Sequence, residues 1–403
     1  MKKLRLYGCP DSREMYTIRD YLQRSVVGYE LANPYDRSDD LPEVEFADGT
    51  RLVNPSLKDI ANQLGWLAKP RYEEYDLAIY GAGPAGLSAA VYAASEGLKT
   101  ILVERSAIGG QAGTSSMIEN YLGFPEGIAG AQLADLARQQ ALKFGAEILL
   151  LKEGISVCFK QDRIIVELTD GTVIRSKANI CATGVEYVRL ELPGEDRFLY
   201  RGLYYGAGAS EATLCYDRDI YIVGGGNMAG QAAIYFSGFA RKVYLVVRKD
   251  DLSSTLSDYL VKRIGSIKNI EVIYNTEVTE MDGDSELRKI TLKHNLTGVE
   301  SSRDTGKLFV CIGGDPNTDW AIGTDLLRCK KGYLVTGNDL LKHDGFEQQW
   351  RPDRLPFHLE TSVPGFFAVG DVRYGSVKRV ASAVGDGAMA VTQVHQYLSH
   401  SAE

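Results

Sequence analysis

The chain opens with a short apolar run, Leu4 to Tyr7, that ends in the turn formers Gly8-Cys9-Pro10-Asp11-Ser12. From Arg13 to Arg24, Met15, Ile18 and Leu22 recur at helical spacing and predict an amphipathic helix. Val44-Glu45-Phe46 followed by Asp48-Gly49 predicts a strand and a turn. Asn54-Pro55-Ser56 ahead of Leu57, Ile60 and Leu64 predicts a second helix, which Gly65 ends. Pro70 and the charged residues from Arg71 to Glu74 read as a linker. At Tyr75 the pattern changes to apolar strand, glycine loop, helix and strand, and the same succession begins again at Asp219. Residues 76–104 and 219–248 are therefore two versions of one βαβ module. The stretch 338–357 is polar and contains Pro, and reads as a surface excursion.

Each module carries a glycine cradle. The first is Gly81-Ala82-Gly83-Pro84-Ala85-Gly86, between an apolar strand and a helix. Gly81 allows the tight turn, Gly83 admits a pyrophosphate to the backbone, and Gly86 lets helix and strand pack closely. Glu104, with Arg105 behind it, ends the second strand 18 residues beyond Gly86, where a carboxylate accepts from ribose hydroxyls. The second cradle is Gly224-Gly225-Gly226-Asn227-Met228-Ala229, with Ala at the third glycine position. Its strand ends in Arg248 and Lys249. Cations there suit a ribose 2′-phosphate and favour NADPH over NADH.

Composition narrows the class. Lys and Arg number 45 against 53 Asp and Glu, a net charge of −8, with no basic run suited to nucleic acid. No window approaches the roughly 18 apolar residues of a membrane span. The start of the chain has no apolar core of a signal peptide. The six cysteines, Cys9, Cys158, Cys181, Cys215, Cys311 and Cys329, are sparse and form no C-x-x-C, which points to a reducing, cytoplasmic compartment and to no metal site.

Further motifs carry a resemblance. Gly109-Gly110-Gln111, Glu119-Asn120-Tyr121-Leu122-Gly123-Phe124-Pro125, Ala182-Thr183-Gly184 and Pro364-Gly365-Phe366-Phe367-Ala368-Val369-Gly370-Asp371 resemble the low-molecular-weight thioredoxin reductases across residues 75–403. The resemblance implies FAD in the first cradle and NADPH in the second. It places Glu104 at the adenosine ribose, Gln111 and Asn120 at the flavin, and Asp371 near the pyrophosphate and ribitol. Lys378-Arg379-Val380-Ala381 would close over the isoalloxazine. It also implies a homodimer and a thioredoxin- or ferredoxin-like redox partner.

The departure lies between Arg201 and Gly224. Where the family has a C-A-T-C-D redox disulfide, this chain has Gly206-Ala207-Gly208-Ala209, so thiol exchange has no sulfur there. Glu211 stands near the family's acidic residue, either as a proton donor or as a solvated loop carboxylate. Tyr204 and Tyr205 are placed to stack near a flavin or to pack. Cys181 and Cys311, on apolar strands, read as buried and inert.

Residues 3–65 resemble a shortened glutaredoxin- or thioredoxin-like domain through Cys9-Pro10-Asp11-Ser12 and Leu41-Pro42. That implies Cys9 at a helix N-terminus, Ser12 in place of the resolving cysteine, and a cis candidate at Leu41-Pro42. A docking or bracing module is the alternative.

The expectation is therefore an α/β chain with two Rossmann-like dinucleotide-binding domains, one inserted in the other. The N-terminal unit spans 1–70, the FAD domain 71–187 and 310–403, and the NAD(P)H domain 188–309. The activity expected is that of an FAD oxidoreductase reduced by NADPH and passing electrons to an acceptor other than an adjacent disulfide. The rivals are a disulfide reductase relayed through Cys9, and a nucleotide-independent electron-transfer or regulatory flavoprotein, with room for a second flavin.

Overall fold

The computed structural model describes residues 3–10, 12–32, 41–160, 162–344 and 346–400. The N-terminal unit comprises β1 (Leu4–Tyr7), α1 (Arg13–Arg24), β2 (Tyr29–Leu31), β3 (Glu43–Glu45), β4 (Arg51–Val53) and α2 (Leu57–Gln63). Its sheet runs β2-β1-β3-β4, with β1 parallel to β2 and antiparallel to β3. Leu4 and Leu6 alternate inward and meet Met15, Ile18 and Leu22 from the apolar face of α1. Ser12 caps α1 by accepting from the Met15 N–H at 3.1 Å. Ser56 and Asp59 form a capping box on α2. Leu41-Pro42 is not cis, because no described peptide bond is. Pro42 leads into β3, and its carbonyl oxygen accepts from the Asn54 N–H at 2.7 Å.

The second unit begins with β5 (Tyr75–Tyr80), α3 (Pro84–Ser95), β6 (Thr100–Glu104), α4 (Gly130–Lys143) and β7 (Glu147–Leu150). It continues with β8 (Gly154–Phe159), β9 (Ile164–Leu168) and β10 (Val173–Cys181). Strand order is β7-β6-β5-β10-β9-β8. The chain then leaves through β11 (Val185–Tyr187).

The third unit holds α5 (Glu195–Phe198), β12 (Leu203–Tyr205), β13 (Asp219–Val223), α6 (Asn227–Phe236), β14 (Lys242–Val246), α7 (Asp258–Ser266) and β15 (Ile270–Ile273). A three-stranded sheet follows, β16 (Thr276–Asp282), β17 (Lys289–His294) and β18 (Glu300–Asp304), and then β19 (Leu308–Val310). The main sheet of this unit is ordered β12-β19-β13-β14-β15 and is parallel throughout. All-parallel strands need apolar residues on both faces, which is why β13 and β14 read as near-continuous apolar runs.

The chain returns through β20 (Gly314–Pro316), antiparallel to β11, so that pair forms the double crossing between the units. After α8 (Phe346–Gln349), β21 (Phe366–Ala368) adds to β10, and α9 (Val380–His400) packs along α3. The contact is close because it is built from small residues: a Cβ on Gly387 would stand 2.2 Å from Ala85 O. The polar stretch 338–357 is not wholly a surface excursion. Phe346 is buried with Val335 and Leu340 in a small core of its own. Wide spacing between apolar residues concealed it.

Candidate functional site

The first cradle opens on a cavity of about 690 Å³. Gly81 has φ +102°, and a Cβ there would lie 2.4 Å from Ala182 O. On Gly86 it would lie 1.8 Å from Gly81 O, so these two glycines fix the strand–helix corner. Gly83 differs: no atom lies within 4 Å of a Cβ position there. It begins α3 without a side-chain cap, which leaves the first N–H groups of the helix without a side-chain acceptor. Gly83, Pro84 and Ala85 all line the cavity. Open backbone at a helix start fits a pyrophosphate.

Glu104 is buried at the cavity edge, where Oε2 accepts from the Ala82 N–H and Oε1 from the Ser106 N–H, both at 2.8 Å. Oε1 also accepts from the Ser106 hydroxyl at 3.3 Å, so it is Oε2 that keeps a lone pair for a ribose hydroxyl. Arg105, Gly110, Gln111, Asn120, Thr183 and Gly184 line the same cavity, as do Gly370, Asp371, Lys378, Arg379 and Val380. Gln111 Nε2 donates to Val185 O at 2.8 Å. Lys378 Nζ donates to Asp371 O and sits 4.3 Å from the centre of the Tyr333 ring. Burial lowers the Lys378 pKa and raises that of Asp371.

The second cradle repeats the corner. Gly224 has φ +146°, with Cys311 O 2.3 Å from a Cβ position, and Ala229 is fully buried beneath it. Gly226 begins α6 with open space around it and no side-chain cap. Arg248 and Lys249 are exposed just past β14, where Lys249 Nζ reaches Ser254 Oγ at 3.3 Å. Gly224, Gly226, Ala229, Arg248 and Lys249 do not line the first cavity. Asn227, Met228 and Gln231 do, so the first turns of α6 face the space beside the first cradle.

The segment that lacks cysteines packs behind two residues of this cavity's lining, Tyr187 and Thr114. Gly206 has φ +81°, and a Cβ there would stand 2.5 Å from the Tyr187 hydroxyl oxygen and 2.6 Å from its ring carbon Cζ. On Gly208 it would stand 2.7 Å from Thr114 O. Tyr187 and Thr114 line the cavity and their hydroxyls lie 3.3 Å apart. The backbone is thus shaped around the absence of a side chain at 206.

Glu211 is neither a solvated loop carboxylate nor a cavity residue. It is 4% exposed, accepts from the Gly208 N–H at 2.7 Å and from the Tyr16 hydroxyl, and faces α1. Burial pushes its pKa up. The sequence concealed this because Tyr16 lies 195 residues away. Around it Arg19 donates to Ser210 O at 3.1 Å and Thr213 Oγ1 at 2.8 Å, and Tyr16 stacks on Tyr200 at 4.6 Å.

Cys9 is exposed and lies outside the cavity lining, three residues ahead of the cap Ser12. All six cysteines are free. Cys181, Cys215 and Cys311 are buried, and burial pushes the last two up to about 12. Tyr204 is buried against Phe309, whereas Tyr205 reaches the cavity and donates to Glu195 at 2.7 Å. Arg24, Tyr187 and Tyr200 also line the cavity, and no local motif marked them.

Residues 75–387 match the model of a family described as pyridine nucleotide-disulphide oxidoreductase. The chain is 33% identical over 328 residues to a thioredoxin reductase of Chlamydia pneumoniae, covering 80% of this chain and 98% of that one. Among solved structures it is similar to a thioredoxin reductase from Lactococcus lactis in an FR conformation, with TM-score 0.72 and 28% identity over 81% of this chain and 99% of that one. It is also similar to thioredoxin reductase from T. acidophilum, with TM-score 0.71 and 30% identity over 82% and 100%. The thioredoxin-reductase likeness expected from the motifs is borne out, as are an enzyme of oxidoreductase class and the FAD and NADPH cofactors of such a family. Residues before Tyr75 lie outside the family match.

Proposed function

We propose that this chain, which belongs to the pyridine nucleotide-disulphide oxidoreductase family, is an FAD oxidoreductase that NADPH reduces and whose electrons leave for an acceptor other than a disulfide beside the ring. The observation that carries the reading is the shared cavity. It is lined from one side by the first cradle and from the other by the first turns of α6, and the sulfur-free backbone at Gly206 and Gly208 packs behind two of its lining residues, Tyr187 and Thr114.

The flavin, when bound, supplies the hydride and electron chemistry. The protein supplies position. The open start of α3 holds the pyrophosphate, and Glu104 holds the ribose. Arg248 and Lys249 supply cations for a 2′-phosphate. Tyr187, fitted against Gly206, leaves no room for a thiol there. In an anaerobic titration of the purified protein with NADPH, flavin absorbance should bleach at about one FAD per chain. A yellow protein that NADPH does not bleach would exclude this reading.

A second reading is favoured by the relatives, which are named thioredoxin reductase. In it Cys9 relays electrons to a disulfide. The β2-β1-β3-β4 order, the parallel β1/β2 pair and α1 following the Cys9 turn support a thioredoxin- or glutaredoxin-like N-terminal unit. Against the relay stand the exposure of Cys9 outside the cavity and the burial of α1 against 208–213. Those contacts support a bracing unit. Replacing Cys9 by Ser leaves activity intact if the unit braces, and abolishes disulfide reduction if it relays. A homodimer in the cytoplasm, serving a thioredoxin- or ferredoxin-like partner, completes the proposal. Among the described residues no helix is long and apolar enough to cross a membrane.

A further inference from the structure

The N-terminal unit reaches into the flavin cavity. Arg24, in the last turn of α1, lines it together with Gly110, Gln111 and Thr114. Its Nη2 donates to Ala107 O at 3.0 Å and Gly110 O at 3.4 Å. Its Nη1 pairs with Asp20 at 3.6 Å, and its Nε is buried without a partner. A guanidinium presents five N–H donors, so this one keeps donors in reserve. Among the other cations of the lining, Arg105, Lys152 and Arg189 each hold a carboxylate within 2.9 Å, and Lys378 Nζ donates to Asp371 O. A half-buried cation with unspent donors is costly unless something electron-rich meets it. The neighbours of Arg24 are the loop that lines the flavin site and the wall carrying Tyr187 and Tyr200.

We propose that Arg24 is a flavin-binding residue, contributed by the unit outside the family match, which donates to the electron-rich oxygens and nitrogens of the cofactor. The inference rests on the FAD reading of the cavity. Two consequences follow. FAD retention depends on the N-terminal unit. So does the reduction potential, because hydride transfer from the nicotinamide to the flavin adds two electrons and one proton, and a nearby guanidinium stabilises the negative charge gained.

The test uses the full chain and the variants Arg24→Gln, Arg24→Lys and Tyr16→Phe. The last removes only the hydroxyl that Glu211 accepts from and leaves α1 seated through Arg19 and the stack of the ring on Tyr200. Flavin fluorescence gives the FAD dissociation constant, and equilibration with a reference dye gives the midpoint potential. Arg24→Gln should weaken FAD binding roughly 10- to 100-fold. It should also lower the potential by about 30 mV, which is tenfold in equilibrium constant for a two-electron couple. Arg24→Lys should keep most of the potential yet bind FAD less tightly, because a point charge lacks the fork. Tyr16→Phe should match wild type in both. Wild-type affinity and potential in Arg24→Gln would overturn the proposal, as would a Tyr16→Phe variant that loses FAD equally. If Arg24→Gln does not fold, unchanged affinity in Arg24→Lys overturns it. A wild-type chain that binds no FAD would instead overturn the function proposed above.

Discussion

Replacing Gly206 by Ala adds one methyl group to the corner where the family's sulfur is missing. Two costs arise. At φ +81° an L-residue carries left-handed strain of about 1–2 kcal/mol. The added Cβ then meets Tyr187 at 2.5 and 2.6 Å, contacts that involve the ring carbon Cζ as well as the hydroxyl, so rotating the hydroxyl gives no relief. Overpacking of this kind costs about 1–3 kcal/mol, for a total near 2–5 kcal/mol. Urea unfolding at fixed excess FAD measures it, with cofactor linkage held constant. A double-mutant cycle with Tyr187→Ala separates the parts. Truncating the ring should recover the overpacking cost and leave the strain. A loss below about 0.5 kcal/mol, or no coupling to Tyr187, would refute the claim that the backbone is moulded around an absent side chain. The same geometry predicts that Gly206→Cys with Ala209→Cys does not restore a flavin-linked disulfide while Tyr187 is intact.

Three other outcomes are open to measurement. Gly83→Ala should leave the apoprotein melting temperature unchanged, since no atom lies within 4 Å of the new Cβ, yet weaken FAD binding; Gly86→Ala should unfold the corner, its Cβ falling 1.8 Å from Gly81 O. Neutralising Arg248 and Lys249 together should raise KM for NADPH roughly tenfold or more and leave KM for NADH nearly unchanged, as judged by steady-state kinetics. Burial raises the Glu211 pKa above its ordinary 4.5, so the folded chain holds a proton there that the unfolded chain has released. Stability from this group is therefore complete below pH 4.5 and declines as pH rises through the folded value, and Glu211→Gln should flatten that slope in urea titrations at several pH values.

What the sequence disclosed was local. The helix at Arg13–Arg24 and both glycine corners follow from short-range spacing, and the structure places them where the spacing does. Each residue there has its reason within a few positions along the chain. Glu211 and Arg24 have theirs across long separations: Tyr16 is 195 residues from Glu211, and Ala107 is 83 from Arg24. No periodicity encodes such pairs. Phe346 was hidden in a different way, because a core of three residues set among polar neighbours has no detectable period.

The sulfur-free segment and the N-terminal unit are in direct contact. A redox disulfide that serves a partner protein must be reachable by that partner's thiolate. Here the segment after Gly206 is tied to α1: Ser210 and Thr213 are held by Arg19, Glu211 by Tyr16, and Tyr200 lies under the Tyr16 ring. Glu211 is 4% exposed and Ser210 is 6% exposed, so a partner thiol could reach those two residues only after α1 lifted away. Lifting α1 would also withdraw Arg24 from the cavity and uncover the Glu211 carboxylate. One helix therefore covers Ser210 and Glu211 and also lines the cavity. With α1 seated, Lys378, Arg379 and the first turns of α6 stand on the remaining rim of the cavity.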